Sequence, residues 1–367
     1  MSAREGGLRD DARRSPKALA SRLSVTCCLA ALVLTGIGLI EFDLPLTLYV
    51  RSLNYFHIEY LQSPWLRWLS DIGNQLGRGE SLLCVSALLL LAGYAWKLQT
   101  WKLAGWETLL AHALTGVVNN SLKHLVGRAR PKFMHAGPSE FFPLAGNGWD
   151  SFPSGHAMSS FAIATVLAVR FPKIRWAMIV LASAISVSRL FRASHYLTDI
   201  LAGVVLGVLI GSVAVHPWKQ WRFSVVSGLF AVTPPMAALL AVMTTIGHPP
   251  SEDWTQTVLR ESGLCIALLA AIIYLVMSVR PAALPGYLTK TIILALVGIG
   301  LGLFSGSLLV TAVILLVCLA YWLRVDSTER AAGPMSHSTG AREAALGLAA
   351  LLMLYTMIEL RGALPLG

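Results

Sequence analysis

Apolar residues in this chain come in long unbroken runs, separated by short polar loops that hold most of the charge. A membrane-spanning helix needs about 20 apolar residues in succession, whereas the strands of a membrane barrel alternate apolar and polar positions. The runs predict helical spans near 23–41, 81–96, 104–122, 156–170, 176–190 and 197–215. Further spans follow near 223–245, 263–278, 288–304, 307–323 and 344–360. A turn around Phe304, Ser305, Gly306 and Ser307 decides the count: with it there are eleven spans, and without it ten, with the C-terminus on the other side. A basic arm, residues 1–22, precedes the first run and carries Arg4, Arg9, Arg13, Arg14, Lys17 and Arg22. No small-residue cleavage site follows cleanly, so the first run reads as an uncleaved span.

Composition sharpens this picture. Of 367 residues, 55% belong to the apolar set and 13% are charged, against roughly 25% charged in soluble domains. Disordered, collagenous and small disulfide-stapled classes are excluded; the fold class is an all-α polytopic membrane protein. Cys27, Cys28, Cys84, Cys265 and Cys318 all lie inside apolar runs, where a thiol acts as a small hydrophobe, and no paired-cysteine metal pattern exists. The net charge of +10 sits in the arm and the loops, so a membrane rather than a nucleic acid is the expected partner, and protein partners stay open.

Lys and Arg in short loops stay on the cytoplasmic side. With the arm inside, Lys97, Lys102, Arg170, Lys173, Arg175, Lys219 and Arg222 also come out inside. Lys123, Arg128, Arg130 and Lys132 break the rule and land outside. They are either interfacial anchors or part of a site.

Three clusters decide between those readings. Lys123 and Arg130 are seven apart, a spacing that places both on one helix face, two turns apart; together they offer a point charge and a planar fork to a polyanion. Pro153, Ser154, Gly155 and His156 stand just before an apolar run. Serine is a favoured N-cap, and a helix N-terminus binds anions through its free amides. Alone, the tetrapeptide is equally an ordinary cap with a solvent-facing histidine. The third cluster is Ser188, Arg189, His195 and Asp199. His195 and Asp199 form an i, i+4 pair in which the carboxylate can accept one imidazole N–H and leave the other nitrogen free; the alternative is an interfacial histidine beside a capping aspartate. All three clusters fall on one predicted membrane face. No carboxylate cluster is available to hold magnesium or zinc, so Lys123, Arg130 and Arg189 must meet the charge of a phosphate, and no metal or cofactor is expected. The chemistry implied is attack by His195 on phosphorus, with His156 protonating the leaving oxygen and then activating water.

In the order Lys-x6-Arg-Pro, Pro-Ser-Gly-His, Ser-Arg-x5-His-x3-Asp, residues 80–215 resemble the type 2 phosphatidic acid phosphatase family, which shares its site with vanadium haloperoxidases and bacterial acid phosphatases. Every motif position is present. The resemblance implies a six-helix membrane core with its site at the outer face. It assigns phosphate binding to Lys123, Arg130, Ser154, Gly155 and Arg189, the nucleophile to His195, the acid to His156 and the partner carboxylate to Asp199.

The expected organisation is a basic cytoplasmic arm (1–22), a six-span phosphatase core (23–221) and an additional C-terminal transmembrane block (222–367) of unassigned role, with a cytoplasmic linker at 325–342. Thr233, Pro234 and Pro235 are expected to kink the seventh span. His112, His124, His216 and His248 have no partner at useful spacing, and Asn119 and Asn120 either orient Lys123 or satisfy each other within the bundle. The loop 132–152, with Phe133, Met134, Phe141, Phe142 and Trp149 around Pro138 and Pro143, is an interfacial lid or packs its own side chains. The stretch 42–80, with Trp65, Arg67 and Trp68, reads as interfacial. The leading function is a metal-independent lipid phosphatase at the outer face of a bacterial-type inner membrane. A lipid phosphotransferase passing the phosphoryl group to an acceptor lipid, and a non-enzymatic lipid or anion carrier, are the alternatives.

Overall fold

A computed structural model describes residues 16–55, 64–133, 141–145, 148–247, 254–279 and 290–329. Most of the basic arm, the span expected at 344–360, the linker beyond residue 329, and Met134, Pro138 and His248 lie outside the described residues. Among the described residues the regular structure is helical: α1 (Pro16–Ile40), α2 (Asp43–Tyr55), α3 (Pro64–Leu76), α4 (Gly79–Ala95), α5 (Gln99–Val126), α6 (Gly155–Arg170), α7 (Arg175–Phe191), α8 (Leu197–Val215), α9 (Trp221–Gly247), α10 (Trp254–Val279), α11 (Lys290–Phe304) and α12 (Leu308–Glu329).

Among the described residues five stretches are long and apolar enough to cross a membrane: Leu19–Ile40, Pro172–Phe191, Leu197–Val215, Trp221–Thr245 and Thr257–Tyr274. The pair Ser70–Leu76 and Gly79–Ala95, bent by 57°, makes a sixth if it counts as one span. The runs expected at 104–122 and 156–170 form helices that fall short of that test. Helix α5 interrupts its apolar residues with Glu107, His112, Asn119 and Asn120, and α6 has only 16 residues. The first loses hydropathy to its polar side chains, and the second is short. The turn at Ser305 and Gly306 is formed, with Gly306 at φ +70, so α11 and α12 are separate helices. Helix α9 runs on through Pro234 and Pro235.

By packing, the chain divides into Leu39–Val232 and a second unit of Met1–Gly38 with Thr233–Gly367. In the first unit α6 is central, lying against α5, α7 and α8. Gly203, Gly207 and Gly211 put a bare stripe on α8 at every fourth residue. A Cβ at these positions would stand 2.6, 2.4 and 2.5 Å from the carbonyl oxygens of Ser154, Met158 and Ala162. Small residues at this spacing let two membrane helices approach backbone to backbone, and here they bring the start of α6 against the start of α8. Ala111, Ala162, Val166, Ala214 and Val215 fill the core behind the stripe. At the end remote from the motifs, Arg170 holds Glu107 with both fork nitrogens, Nε at 2.7 Å, and also donates to the Val215 carbonyl at 3.3 Å. Leu88, Leu91, Val117 and Val180 point outward and are exposed, as a lipid-facing surface requires.

In the second unit α10 and α11 cross closely at Gly263 and Gly300, where a Cβ on either would come within 2.6 Å of the other's carbonyl. Ala270, Tyr274 and Ile293 form the adjoining core.

Candidate active site

Helix α5 ends at Val126 because Gly127 turns left-handed, φ +58, and donates its N–H to the Lys123 carbonyl at 2.9 Å. A Cβ on Gly127 would lie 1.9 Å from the Phe142 carbonyl oxygen, so only glycine fits this close return of the chain. The strand-like stretch that follows pairs with the returning loop: Phe142 N–H bonds Gly127 O at 2.7 Å, Arg130 N–H bonds Gly148 O at 3.0 Å, and Ser151 N–H bonds Arg128 O at 2.9 Å. The expectation that Lys123 and Arg130 share a helix face is therefore corrected. Arg130 lies beyond the helix, and the paired loop turns it back toward Lys123. Both cations meet on Asp150, with Arg130 Nε at 2.7 Å from Oδ1, Nη2 at 2.6 Å from Oδ2, and Lys123 Nζ at 3.6 Å. Hydrogen bonds from Arg130 hold the Asp150 carboxyl well below the usual carboxylate range.

Ser154 occupies the N-cap position of α6 by its backbone, φ −73 and ψ 111, but its hydroxyl makes no capping bond. Its N–H donates instead to the Asp199 carbonyl at 3.0 Å. Its Oγ is buried and has no partner among the described residues, and the same is true of His156 Nε2, Arg189 Nε and Asn119 Oδ1. Each such atom costs about 1–3 kcal/mol in a fold stabilised by about 5–15 kcal/mol. Four of them near one another are a cost that stability alone does not explain. Asn119 lies against Gly155, at the start of α6. Asn120 instead gives its carbonyl to His124 Nδ1.

Helix α3 closes the site from the side of α7. Asn74 accepts a hydrogen bond from Arg189 Nη1, Asp71 accepts one from Arg192 at 2.8 Å, Gly73 abuts Ser188, and Gly77 abuts His156. Helix α7 ends in a turn, with Ser194 N–H bonded to Arg189 O at 3.1 Å, and this brings Ser194 and His195 under the loop. His195 is 3% exposed. Its Nδ1 donates to the Ser151 carbonyl at 2.7 Å, while Asp199 Oδ2 stands 3.8 Å from the same nitrogen. The direct hydrogen bond expected from the i, i+4 spacing is thus supplied by a backbone carbonyl. A carbonyl can only accept, so Nδ1 carries the proton and Nε2 keeps its lone pair. Burial pushes the His195 imidazole below its ordinary range, which favours this neutral form.

Asp199 is fully buried and turned to other donors: Ser151 Oγ at 2.6 Å, Tyr196 N–H at 2.9 Å and Arg128 Nη1 at 2.6 Å. Arg128 in turn reaches Asp43 at the start of α2, 2.8 Å away. Sequence reasoning had Arg128 only as a charge on the wrong side, and it missed Asp43, Asp150, Asn74 and the Ser151 carbonyl. Arg130, Arg189, Lys123 and His195 all exert their charge on His156 or on one another. The three clusters therefore form one constellation of cations, free donors and two imidazoles, and no group of three or more metal-ligating side chains occurs among the described residues.

A family model described as the PAP2 superfamily matches residues 104–223. The chain is 33% identical over 159 residues to lipid A 1-phosphatase of Rhizobium etli, covering 38% of this chain and 67% of that protein. It is 28% identical over 161 residues to phosphatidylglycerophosphatase B of Bacillus subtilis, covering 41% of this chain and 74% of that one. Among solved structures, the first transmembrane PAP2 type phosphatidylglycerolphosphate phosphatase from Bacillus subtilis is similar with a TM-score of 0.40 at 24% identity, covering 55% of this chain and 96% of that chain. The matched segment contains every motif position from Lys123 to Asp199, and the chain belongs to the PAP2 superfamily, the type 2 phosphatidic acid phosphatases.

Proposed function

We propose that this integral membrane lipid phosphatase removes the terminal phosphate of a lipid phosphate or diphosphate through a phosphohistidine on His195, without a metal ion. The observation that carries the reading is the tautomer of His195. Its Nδ1–H is pinned by the Ser151 carbonyl, so the Nε2 lone pair is the reactive end of a buried, neutral imidazole beside Arg130 and Arg189. Lys123, Arg130 and Arg189 hold the phosphate oxygens together with the Ser154 hydroxyl and the free amides at Gly155 and the start of α6. The lone pair of Nε2 forms a bond to phosphorus as the bond to the lipid oxygen breaks, and His156 gives that oxygen a proton. In the second step His156 takes a proton from water, the water oxygen bonds to phosphorus, and the phosphorus–nitrogen bond breaks to release inorganic phosphate and restore Nε2. The cationic cluster stabilises the charge that spreads over the equatorial oxygens in both steps.

The loop charges support a cytoplasmic side for residues 97–103 and 170–175. The motif end of α5, α6 and α8 then faces outward, at the periplasmic side of a bacterial inner membrane. The relatives' names, lipid A 1-phosphatase and phosphatidylglycerophosphatase B, agree with an anionic lipid carrying a phosphate monoester. The test is release of phosphate by the purified protein from a panel of lipid phosphates, with and without chelator. Turnover that survives chelation and acid-labile phosphate on the chain after quenching are expected. Turnover abolished by chelator, or a His195→Gln variant at near-normal rate, defeats the reading.

A further inference from the structure

Arg128, Asp43 and Asp199 are 3%, 2% and 0% exposed, and they come from three separate elements: the loop after α5, the start of α2 and the start of α8. Thr198 completes the cluster. It accepts from Arg128 Nη1 at 2.8 Å through its hydroxyl, donates that hydroxyl to Asp43, and donates its N–H to Asp43 at 2.9 Å. Burial pushes the Asp43 carboxyl upward, while Arg128 and Thr198 pull it down. Every hydrogen bond it makes is accepted from a donor, as an ionised carboxylate requires.

Two carboxylates on one guanidinium leave a net negative charge inside the bundle. Removing ions from water costs several kcal/mol each, and apolar replacements of such clusters are often as stable or more so. Stability does not account for the cluster, and buried ionisable groups in membrane bundles mark function. It meets the chemistry at Asp199 Oδ2, which is 3.8 Å from His195 Nδ1, and through Ser151, which donates its hydroxyl to Asp199 and accepts from His195 at its carbonyl.

We propose that Arg128 and Asp43 are positioning residues for phosphoryl transfer: Asp43 fixes the Arg128 fork, and Arg128 fixes Asp199 and offsets its charge, so that the pair sets how readily His195 takes a proton. This rests on the hydrolase reading above. The groups around His195 are Asp199 on α8, the Ser151 carbonyl from the loop before α6, Arg130 from the loop after α5, Arg189 on α7 and His156 on α6; none of the five is itself altered in the variants below.

The two partners have opposite electrostatic signs, which separates this role from a packing role. Arg128→Gln leaves Asp43 and Asp199 uncompensated. The negative potential at His195 grows, its protonated form is favoured, and the acid limb of kcat/KM moves to higher pH. Asp43→Asn removes one negative charge and leaves Arg128 wholly on Asp199, so the acid limb moves to lower pH. Each shift is expected at about half a unit or more. Both variants lose alignment, with kcat down about tenfold to a hundredfold. KM stays within about twofold, because neither residue touches the phosphate. Arg128→Lys keeps the charge and loses the fork, so kcat falls while the limb stays.

The experiment is hydrolysis of a short-chain lipid phosphate by the purified full-length protein in detergent, followed from about pH 4 to pH 9. Limbs that move in opposite directions support the inference. Limbs that move together, or an Asp43→Asn limb that does not move, overturn it. Where Arg128→Gln fails to elute as a monodisperse species, the near-isosteric Asp43→Asn and the charge-preserving Arg128→Lys decide alone: a downward shift in the first with none in the second is support. A wild-type protein that releases no phosphate removes the hydrolase reading and this inference together. An active wild type whose variants behave alike removes the inference only.

Discussion

Buried polar groups behave differently in the two units. In the unit of Met1–Gly38 and Thr233–Gly367, buried hydroxyls bond back to their own helix: Thr35 to Ala31 O at 2.7 Å, Thr245 to Ala241 O at 2.8 Å and Ser305 to Gly302 O at 2.6 Å. Such bonds satisfy a polar side chain locally and tie nothing distant together. In Leu39–Val232 the buried groups reach across the sequence, Arg128 to Asp43 and Asp199, Ser151 to Asp199 and His195. Helix-local bonds of this kind occur in both units, as at Ser86, Thr108 and Ser186 in Leu39–Val232; what Leu39–Val232 adds is a set of buried charged side chains whose partners come from several elements. Long-range bonding between buried charges therefore coincides with the unit that carries the motifs. Arg260 marks the limit of the rule: it is buried in the first of these units with its guanidinium over the Phe304 ring at 5.7 Å.

The strongest way to break this comparison is to exchange the two kinds of residue. His195→Ala is expected to lose on the order of a thousandfold or more in kcat, while Thr245→Val, which removes only a helix-local bond, should stay within about threefold of wild type. Comparable losses in both, measured as initial rates of phosphate release, would end the distinction. One step down in size, Arg189→Met removes the proposed phosphate donor and is expected to cost about a hundredfold in kcat/KM, together with weaker inhibition by vanadate. An Arg189→Met protein with unchanged vanadate inhibition would take that residue out of the cradle.

Deleting the chain beyond Val232 probes the units themselves. Every site partner described lies between Asp43 and Asp199, and lipid is about as apolar as a neighbouring helix. Hydrolysis of a short-chain lipid phosphate is expected to stay within about tenfold of the full chain. A shortened protein that elutes as a single species yet has no activity would show that the two units form one catalytic body.

What was legible in the sequence follows the same division. Lys123, Arg130, His156, Arg189, His195 and Asp199 announce themselves because ionisable side chains near apolar runs are rare. The meeting of Arg130 with Lys123 was right, but its helical explanation was not, since Gly127 ends the helix first. Asp43 stays hidden because its bond to Thr198 spans 155 positions, and no periodicity links residues that far apart. The Ser151 carbonyl is hidden for another reason: a backbone acceptor has no side-chain signature. The glycine stripe Gly203, Gly207, Gly211 is written in the sequence, and a four-residue repeat of small residues is by itself a signal that α8 packs closely on another helix. Hydropathy marks 104–122 and 156–170 less sharply than the other runs, because α5 carries Glu107, His112, Asn119 and Asn120 and the helix over 156–170 has only 16 residues.

The smallest expected effect concerns Asp150, whose carboxylate grips the same fork of Arg130 that a phosphate would take. Carboxylate and phosphate are both planar-fork acceptors for arginine, so the two compete, and a phosphate must displace Asp150 before it can use Arg130 and Lys123 together. Asp150 is 41% exposed, and pairs open to solvent are worth about 0.2–1 kcal/mol. Asp150→Asn should therefore tighten inhibition by inorganic phosphate or vanadate by about twofold to fivefold. The sign of its pH dependence follows from Arg130, which holds the carboxyl below its ordinary value. A depressed acid keeps its ion pair above the unfolded value of about 4 and loses it only as the pH falls through the lower folded value. The ratio of inhibition constants between wild type and variant should then be flat above about pH 5, even though phosphate itself titrates across that range. Weaker inhibition in Asp150→Asn would mean that the carboxylate holds the cations in place for the ligand instead of competing with it.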